Sequence, residues 1–398
     1  MIQISRRVKA LAPSATLAMS AMSAELKAKG VDVINMSVGE PDFNTPGHIK
    51  AAAKAAIDHN FSHYSPVAGY LSLRQAIADK LSRENALEFT PQQIVVGNGA
   101  KQELCNVVLA CINPGDEVVI PTPAWVSYVE MVKLAGGTTV EVPTGLDSDF
   151  KITPEQLEEA ITPRTRLLML NSPSNPTGSV YSADELEALS EVLRLHPNVL
   201  VMADEIYEHI SFVGKVASIC QCEGMKERTV LINGVSKAYA MTGWRIGYMA
   251  GPEEVAKAVT KLQGQYTSGA SSVAQKAAEA AYTGPQECVA EMRKAFEARR
   301  DLIVKLAGKV PGWKINCPEG AFYLFPDVSG LIGKKTPDGT IITTSEDYVG
   351  YLLQTAHVAT VDGAAFCTPG YIRLSYACAE PQIREAMQRI SAATAALK

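Results

Sequence analysis

"QIVVGNGAKQELCNVVLACI", residues 93–112, is the stretch that decides the fold. Ile94, Val95 and Val96 are consecutive β-formers, and they run into Gly97, Asn98 and Gly99. Leu104, Val107, Val108 and Cys111 then recur at i, i+3, i+4 and i+7, one face of a helix. A strand apolar at every position belongs inside a sheet, and a helix following it directly belongs on that sheet's face. The same unit recurs on either side. "GDEVVIPTPAW" (115–125) and "VSYVEMVKLAG" (126–136) read as strand, turn and helix. "GTTVEVP" (137–143) reads as a strand, and "TPEQLEEAI" (153–161) as a helix with Thr153 as N-cap, Pro154 in the first turn and Gln156 closing a capping box. "TRLLML" (165–170), "VLVMADEIY" (199–207) and "TVLINGVSK" (229–237) are further strands, and "SADELEALSEVLRLH" (182–196) is a further helix. This alternation predicts an α/β fold built on a parallel sheet covered on both faces.

Past Gly284-Pro285 the pattern changes. "PQECVAEMRKAFEARRDLIVKLAG" (285–308) is one long amphipathic helix, followed by a mixed α+β segment in which residues 331–347 read as an inserted polar loop. The 398 residues are enough for two domains, and 47% hydrophobic against 20% charged residues supports a large core. A net charge of −5 gives no electrostatic footprint for nucleic acid. The eight cysteines are scattered without a C-x-x-C pair, and the six histidines lie apart, so neither a disulfide framework nor a metal site is expected. The basic start "SRRVKALAPSATLAMSAMSAELK" (5–27) is broken by Pro13, Ser14, Thr16, Ser20 and Ser23, which favours a structural N-terminal arm of a cytoplasmic protein over an export signal. No stretch has the length of apolar sequence that a membrane span needs.

Ligands of open parallel sheets bind beyond the carboxyl ends of the strands. Four segments end there in polar groups: Gly99, Ala100 and Lys101; Asn171 and Asn175; Asp204 and Tyr207; Ser236 and Lys237. A glycine turn at a helix N-terminus suits a phosphate, and Ser236 and Arg245 add a hydroxyl and a fork of donors. Asp204 closes an apolar strand and needs a cation to face. Lys237, in an apolar setting with Arg245 close behind, is an amine activated for Schiff-base chemistry. Trp125 offers a flat face for a ring. Singly, such an acid is commonly a cap, such a lysine solvated and such a tryptophan core. Together they are what pyridoxal phosphate requires. "GNGAKQ" (97–102) lacks the third glycine of a dinucleotide fingerprint, which argues against a nicotinamide-dependent dehydrogenase.

"SPSNPTG" (172–178), "DEIYE" (204–208), "GVSKAYAMTGWRIGY" (234–248) and "YIRLSYA" (371–377), in this order, resemble the signature segments of the fold-type I, class I pyridoxal-phosphate aminotransferases. "SVGEPDF" (37–43) and "YSPVAGYLSLR" (64–74) extend the likeness over nearly the whole chain, and "SRRVKALAPSAT" (5–16) and "GAKQEL" (99–104) are similar to the bacterial aspartate aminotransferase branch that also contains prephenate aminotransferases. The resemblance implies a large domain, 46–289, with a mostly parallel seven-stranded sheet flanked by helices, and a smaller α+β domain from 1–45 and 290–398. It implies pyridoxal 5'-phosphate as cofactor, anchored covalently by Lys237, which then serves as base for the proton shift. Asp204 would pair with the ring nitrogen, and Tyr207 and Asn175 with the ring's phenolic oxygen. Gly99, Ala100, Ser236 and Arg245 would hold the phosphate, with Tyr64 reaching in from a second subunit of a homodimer, and Trp125 would stack on the ring. Arg373 would fork the substrate α-carboxylate, helped by Asn175 and Gly39, and Lys101 would meet a distal carboxylate, with Ser14 or Thr16 nearby. The implied reaction moves an amino group from aspartate to 2-oxoglutarate. Prephenate, aromatic or neutral amino acids, or carbon–sulfur lysis on the same fold, are the alternatives.

Overall fold

The computed structural model describes residues 2–398. Its strands, in chain order, are β1 (Ile34–Asn35), β2 (Ile94–Gly97), β3 (Glu117–Thr122), β4 (Thr138–Pro143), β5 (Thr165–Asn171), β6 (Leu200–Asp204), β7 (Thr229–Gly234), β8 (Gly247–Ala250), β9 (Tyr323–Leu324), β10 (Val358–Ala359), β11 (Val361–Asp362) and β12 (Ile372–Ser375). Seven of them form one sheet in the order β2-β8-β7-β6-β5-β3-β4. Successive side chains of a strand point to opposite faces, and here both faces are covered. Val95 joins one apolar cluster while Ile94 and Val96 join another, and Leu167 and Met169 separate from Leu168 and Leu170 in the same way. That two-sided burial is why the strands read as unbroken apolar runs.

Four of the neighbouring pairs are parallel, as the alternation with helices predicts. The exception is β8, antiparallel to both β2 and β7. No helical crossover precedes it; a loop, 235–246, turns the chain straight back. That loop holds Ser236, Lys237 and Arg245. The hairpin therefore brings lysine and arginine to the same rim as the carboxyl ends of the parallel strands. The predicted capping box at Thr153 is present, with Gln156 N donating to Thr153 Oγ1 and Thr153 N to Gln156 Oε1.

The long predicted helix spans Glu287–Ala307 and buries Val289, Met292, Phe296, Arg299, Leu302 and Ile303 along one face. It packs beside the helix Glu380–Ala395. β1 of the N-terminal segment pairs with β10, Ile34 opposite Val358. β12 lies between β11 and β9 in a small antiparallel sheet, which sets Arg373 near Tyr323. Residues 331–347 depart from the expected loop. Lys335 and Ile341 form an antiparallel bridge around a tight turn, Lys335 pairs with the carboxyl-terminal Lys398, and Thr344 caps the helix starting at Ser345. Their polarity reflects solvent on one side of a small hairpin, which a composition reading takes for a loop. Among the described residues no helix is long and apolar enough to cross a membrane.

Candidate active site

A cavity of about 450 Å³ opens where β2, β5 and β6 end and the 235–246 loop begins. Ala100, Lys101, Trp125, Asn175, Asp204, Tyr207, Ser236, Lys237, Arg245, Gly39 and Arg373 all line it, together with Ser14 and Thr16 of the N-terminal arm. These are the residues singled out in sequence, drawn from segments far apart in the chain.

At one end the N-terminus of the helix Ala100–Cys111 faces the cavity. Gly99 caps it with φ +87°, a conformation that favours glycine, and a Cβ there would overlap the Arg245 guanidinium. Gly247 on β8 passes so close to the backbone of Gly99 and Ala100 that a side chain has no room. The two glycines let the Arg245 guanidinium and β8 lie close against the start of this helix. Arg245 donates to the carbonyls of Thr242 (2.8 Å) and Asn98 (3.2 Å). Helix N–H groups, a buried serine hydroxyl (Ser236) and an arginine make an anion cradle.

On the floor, Asp204 ends β6, 5% exposed. It accepts from Tyr128 Oη (2.7 Å) and from the backbone N–H of Ile206 (3.2 Å). Burial pushes its carboxyl up to about 6, against those hydrogen bonds and the charge of Lys237. Lys237 Nζ donates to Gly39 O at 2.7 Å. Burial first, then the like charges of Arg373 and Arg245, brings its ammonium down to about 8, while Glu40 and Asp204 oppose the shift. About a tenth of this amine is therefore free base near neutral pH, far more than for a solvated lysine.

On the far wall Arg373 is 2% exposed. It donates to Asn175 Oδ1 (3.0 Å) and Ser37 O (2.5 Å), both neutral, and its Nε has no partner among the described residues. The guanidinium lies between the Tyr323 and Phe366 rings, 4.7 and 4.9 Å from their centres. A buried cation without a counter-ion is costly, so the geometry calls for an incoming carboxylate. Lys101 sits 4.8 Å over the Trp125 ring at the open side, and burial, then Arg245, lowers its ammonium below the ordinary lysine range. An unpaired buried acid and an unpaired buried guanidinium thus share one cavity with an anion cradle and an activated amine. That donor set fits a phosphorylated pyridine aldehyde: cradle for phosphate, Asp204 for a protonated ring nitrogen, Lys237 for the aldehyde.

Tyr64 is not brought to this cavity; it stands 95% exposed on its own chain. Tyr207 lines the cavity, with its hydroxyl 2.7 Å from that of Tyr323. Asn171, one of the strand-end polar groups, also lines the cavity, whereas Tyr128, Tyr323, Ser37 and Glu40 were not singled out in sequence. Tyr128 had a signal, since it lies one helical turn from Trp125 in "WVSY". Tyr323 had none, because it reaches the site only through pairing of β9 with β12.

The sequence matches the aminotransferase class I and II family over residues 31–390. It is 51% identical over 387 residues to an aspartate/prephenate aminotransferase of Cereibacter sphaeroides, covering 97% of each chain. The aspartate aminotransferase of Rhizobium meliloti superposes with a TM-score of 0.97 over 100% of both chains at 45% identity. That of Thermus thermophilus with maleate superposes with a TM-score of 0.92 at 42% identity, over 99% of this chain and 100% of its own. With the cavity, the sheet and these likenesses in agreement, the protein is an aminotransferase and belongs to the class I and II family.

Proposed function

We propose that the enzyme moves the amino group of aspartate to 2-oxoglutarate with pyridoxal 5'-phosphate as cofactor. The observation that carries the reading is the pair of cations facing one cavity, buried Arg373 and rim Lys101. They suit a substrate with two carboxylates, one forked by Arg373 with Asn175 beside it, the other met by Lys101 with Ser14 and Thr16 near. The maleate of the Thermus thermophilus structure is itself a dicarboxylate.

The cofactor, when bound, supplies an electron sink that acidifies the substrate Cα–H. Gly99, Ala100, Ser236 and Arg245 hold its phosphate. Asp204, kept in place by Tyr128, holds a proton on its ring nitrogen, and Trp125 covers one ring face. Tyr207 and Asn175 donate to its phenolic oxygen. Lys237 would anchor it and, when its amine is free, would serve as the base of the 1,3-proton shift, taking the proton from the substrate Cα and returning it to the cofactor's aldehyde-derived carbon. The reading divides the chain into a large domain, 46–289, and a small one from 1–45 and 290–398, the latter carrying Arg373. It also makes the enzyme a cytoplasmic homodimer in which Tyr64 completes the partner's phosphate site. Eight free thiols and the exposed apolar side chains of the N-terminal arm (Ile2, Ile4, Val8, Leu17, Met22) support both parts.

The test uses purified yellow protein without oxo acid. Loss of colour should be fastest with aspartate and glutamate; faster loss with alanine or phenylalanine would overturn the dicarboxylate reading. Lys101→Ala should raise KM for aspartate about 10- to 100-fold and leave that for a neutral amino acid near its starting value. The name of the Cereibacter relative favours prephenate as a second acceptor. Prephenate also carries two carboxylates, and adding it to the amino-loaded, colourless enzyme should restore the yellow colour if it is a substrate.

A further inference from the structure

We propose that Glu40 is a positioning residue for the reaction: its carboxylate, fixed at the cavity rim, sets the charge state of the Lys237 nitrogen. The proposal rests on the reading of Lys237 as the residue that carries the cofactor.

Four cations line the cavity, Lys101, Lys237, Arg245 and Arg373, against two carboxylates, Asp204 and Glu40. Asp204 lies on the floor beneath the ring site. Glu40 lies at the mouth of a pocket built for anions, where its charge opposes a carboxylate substrate. Nothing in the scheme above uses it.

Its position is determined from both sides. Ser37 O takes Arg373 Nη2 at 2.5 Å, and Gly39 O takes Lys237 Nζ at 2.7 Å. The Gly39 Cα packs against the Tyr323 hydroxyl with no room for a side chain. Beyond Glu40, Asp42 receives two bonds from Arg299, at 2.7 and 3.0 Å. Residues 37–42 are thus a strap tied at both ends, with Glu40 in its middle. The Glu40 carboxylate accepts from Thr242 Oγ1, and the Thr242 carbonyl accepts from Arg245 Nη1 at 2.8 Å. The strap is therefore tied through Glu40 to the loop that carries both Lys237 and Arg245.

The charged and titratable groups around Lys237 come from every neighbouring element. Arg373 faces it from β12, Arg245 from the turn before β8, Asp204 from the end of β6 and Tyr207 from just beyond, while Glu40 faces it from the strap. The two arginines and burial favour the neutral amine. Glu40 is the strongest charge favouring the proton, ahead of Asp204. The strap thus counterbalances the arginines that the substrate and phosphate require, and keeps the lysine nitrogen able to hold a proton.

The experiment follows the visible absorption of the bound cofactor in holoenzyme as a function of pH. Glu40→Gln keeps the shape and the acceptor for Thr242 and removes the charge. The titration midpoint should fall by about half a unit to one unit. Because Glu40 is exposed, wild-type and variant midpoints should converge as salt is raised. Thr242→Val removes the hydrogen bond and keeps the charge, so it should move the midpoint less than half as far. Glu40→Asp, which also keeps the charge, should stay close to wild type and serves if Glu40→Gln does not fold. An unchanged midpoint in Glu40→Gln, or an equal shift in Thr242→Val, overturns the proposal. Failure of the underlying reading looks different: borohydride would then not fix the cofactor to the wild-type chain, or would fix it equally to Lys237→Ala.

Discussion

At Asp204 burial and function pull in opposite directions. The carboxyl ends an apolar strand with no cation in contact, and its folded value near 6 lies above the ordinary 3.8. The native apoprotein therefore binds more protons there than the unfolded chain between those values. Its stability should fall as pH rises through that window, by on the order of 3 kcal/mol, and stay reduced above it. Asp204→Asn should flatten this part of the profile in urea titrations of the apoprotein, and the same variant should bind the cofactor more weakly. A wild-type minus variant difference that does not change between pH 4 and 6 would show that the site is not dry. Arg373 is the complementary case. Its orphaned Nε and neutral partners leave a buried positive charge for which only an incoming anion is the natural counterpart. Both residues were legible in sequence as types, an acid after an apolar strand and an arginine in "YIRLSYA". That neither has an internal counter-ion was not legible, because that depends on every group packed around them.

At the scale of elements, the hairpin from β7 to β8 carries both Lys237 and Arg245, the proposed cofactor anchor and phosphate clamp. Gly234 and Gly247 face each other across it, and Gly247 also pairs with Gly97 of β2. Gly247→Ala would force a methyl group into the backbone of Gly99 and Ala100, which cannot yield as a side chain can. The expected cost is about 1–3 kcal/mol in unfolding free energy, with weakened cofactor binding. Gly243→Ala is the control, since it sits in the same loop with open space around it. Equal effects of the two on stability and on cofactor affinity would remove the close approach from the account of the cradle. The repeated strand–helix units were readable because periodicity is local. The reversal at β8 was not, since "RIGYMA" carries the same apolar pattern whichever way the strand runs.

For the whole molecule the decisive residue is Tyr64, almost fully exposed on a chain that otherwise assembles its own site. Buried glutamines hold its loop: Gln275 donates to Ser65 Oγ at 2.9 Å and accepts from Tyr70 N at 2.8 Å, and Gln263 donates to Val67 O at 2.8 Å. A rigid loop presenting a bare tyrosine suits delivery to a second copy. Tyr64→Ala should lower cofactor affinity about tenfold. Mixing Tyr64→Ala with Lys237→Ala subunits should restore tight binding at one site of each mixed dimer. No restoration would mean that Tyr64 does not cross to a partner.

The sequence by itself determined the α/β class, the glycine cradle at the start of the helix Ala100–Cys111 and the lysine–arginine pair. Each follows from turn chemistry and apolar period within about twenty residues, the span over which side chains of one element can specify each other. Only the tertiary structure decided which groups meet. Arg373 and Ser37 bond across a separation of 336 residues, Tyr207 and Tyr323 across 116, and Lys237 and Gly39 across 198. Desolvation and charge pairing are properties of the packed cavity, so the basicity of Lys237, the unpaired state of Arg373 and the place of Glu40 exist only once the distant segments close around it.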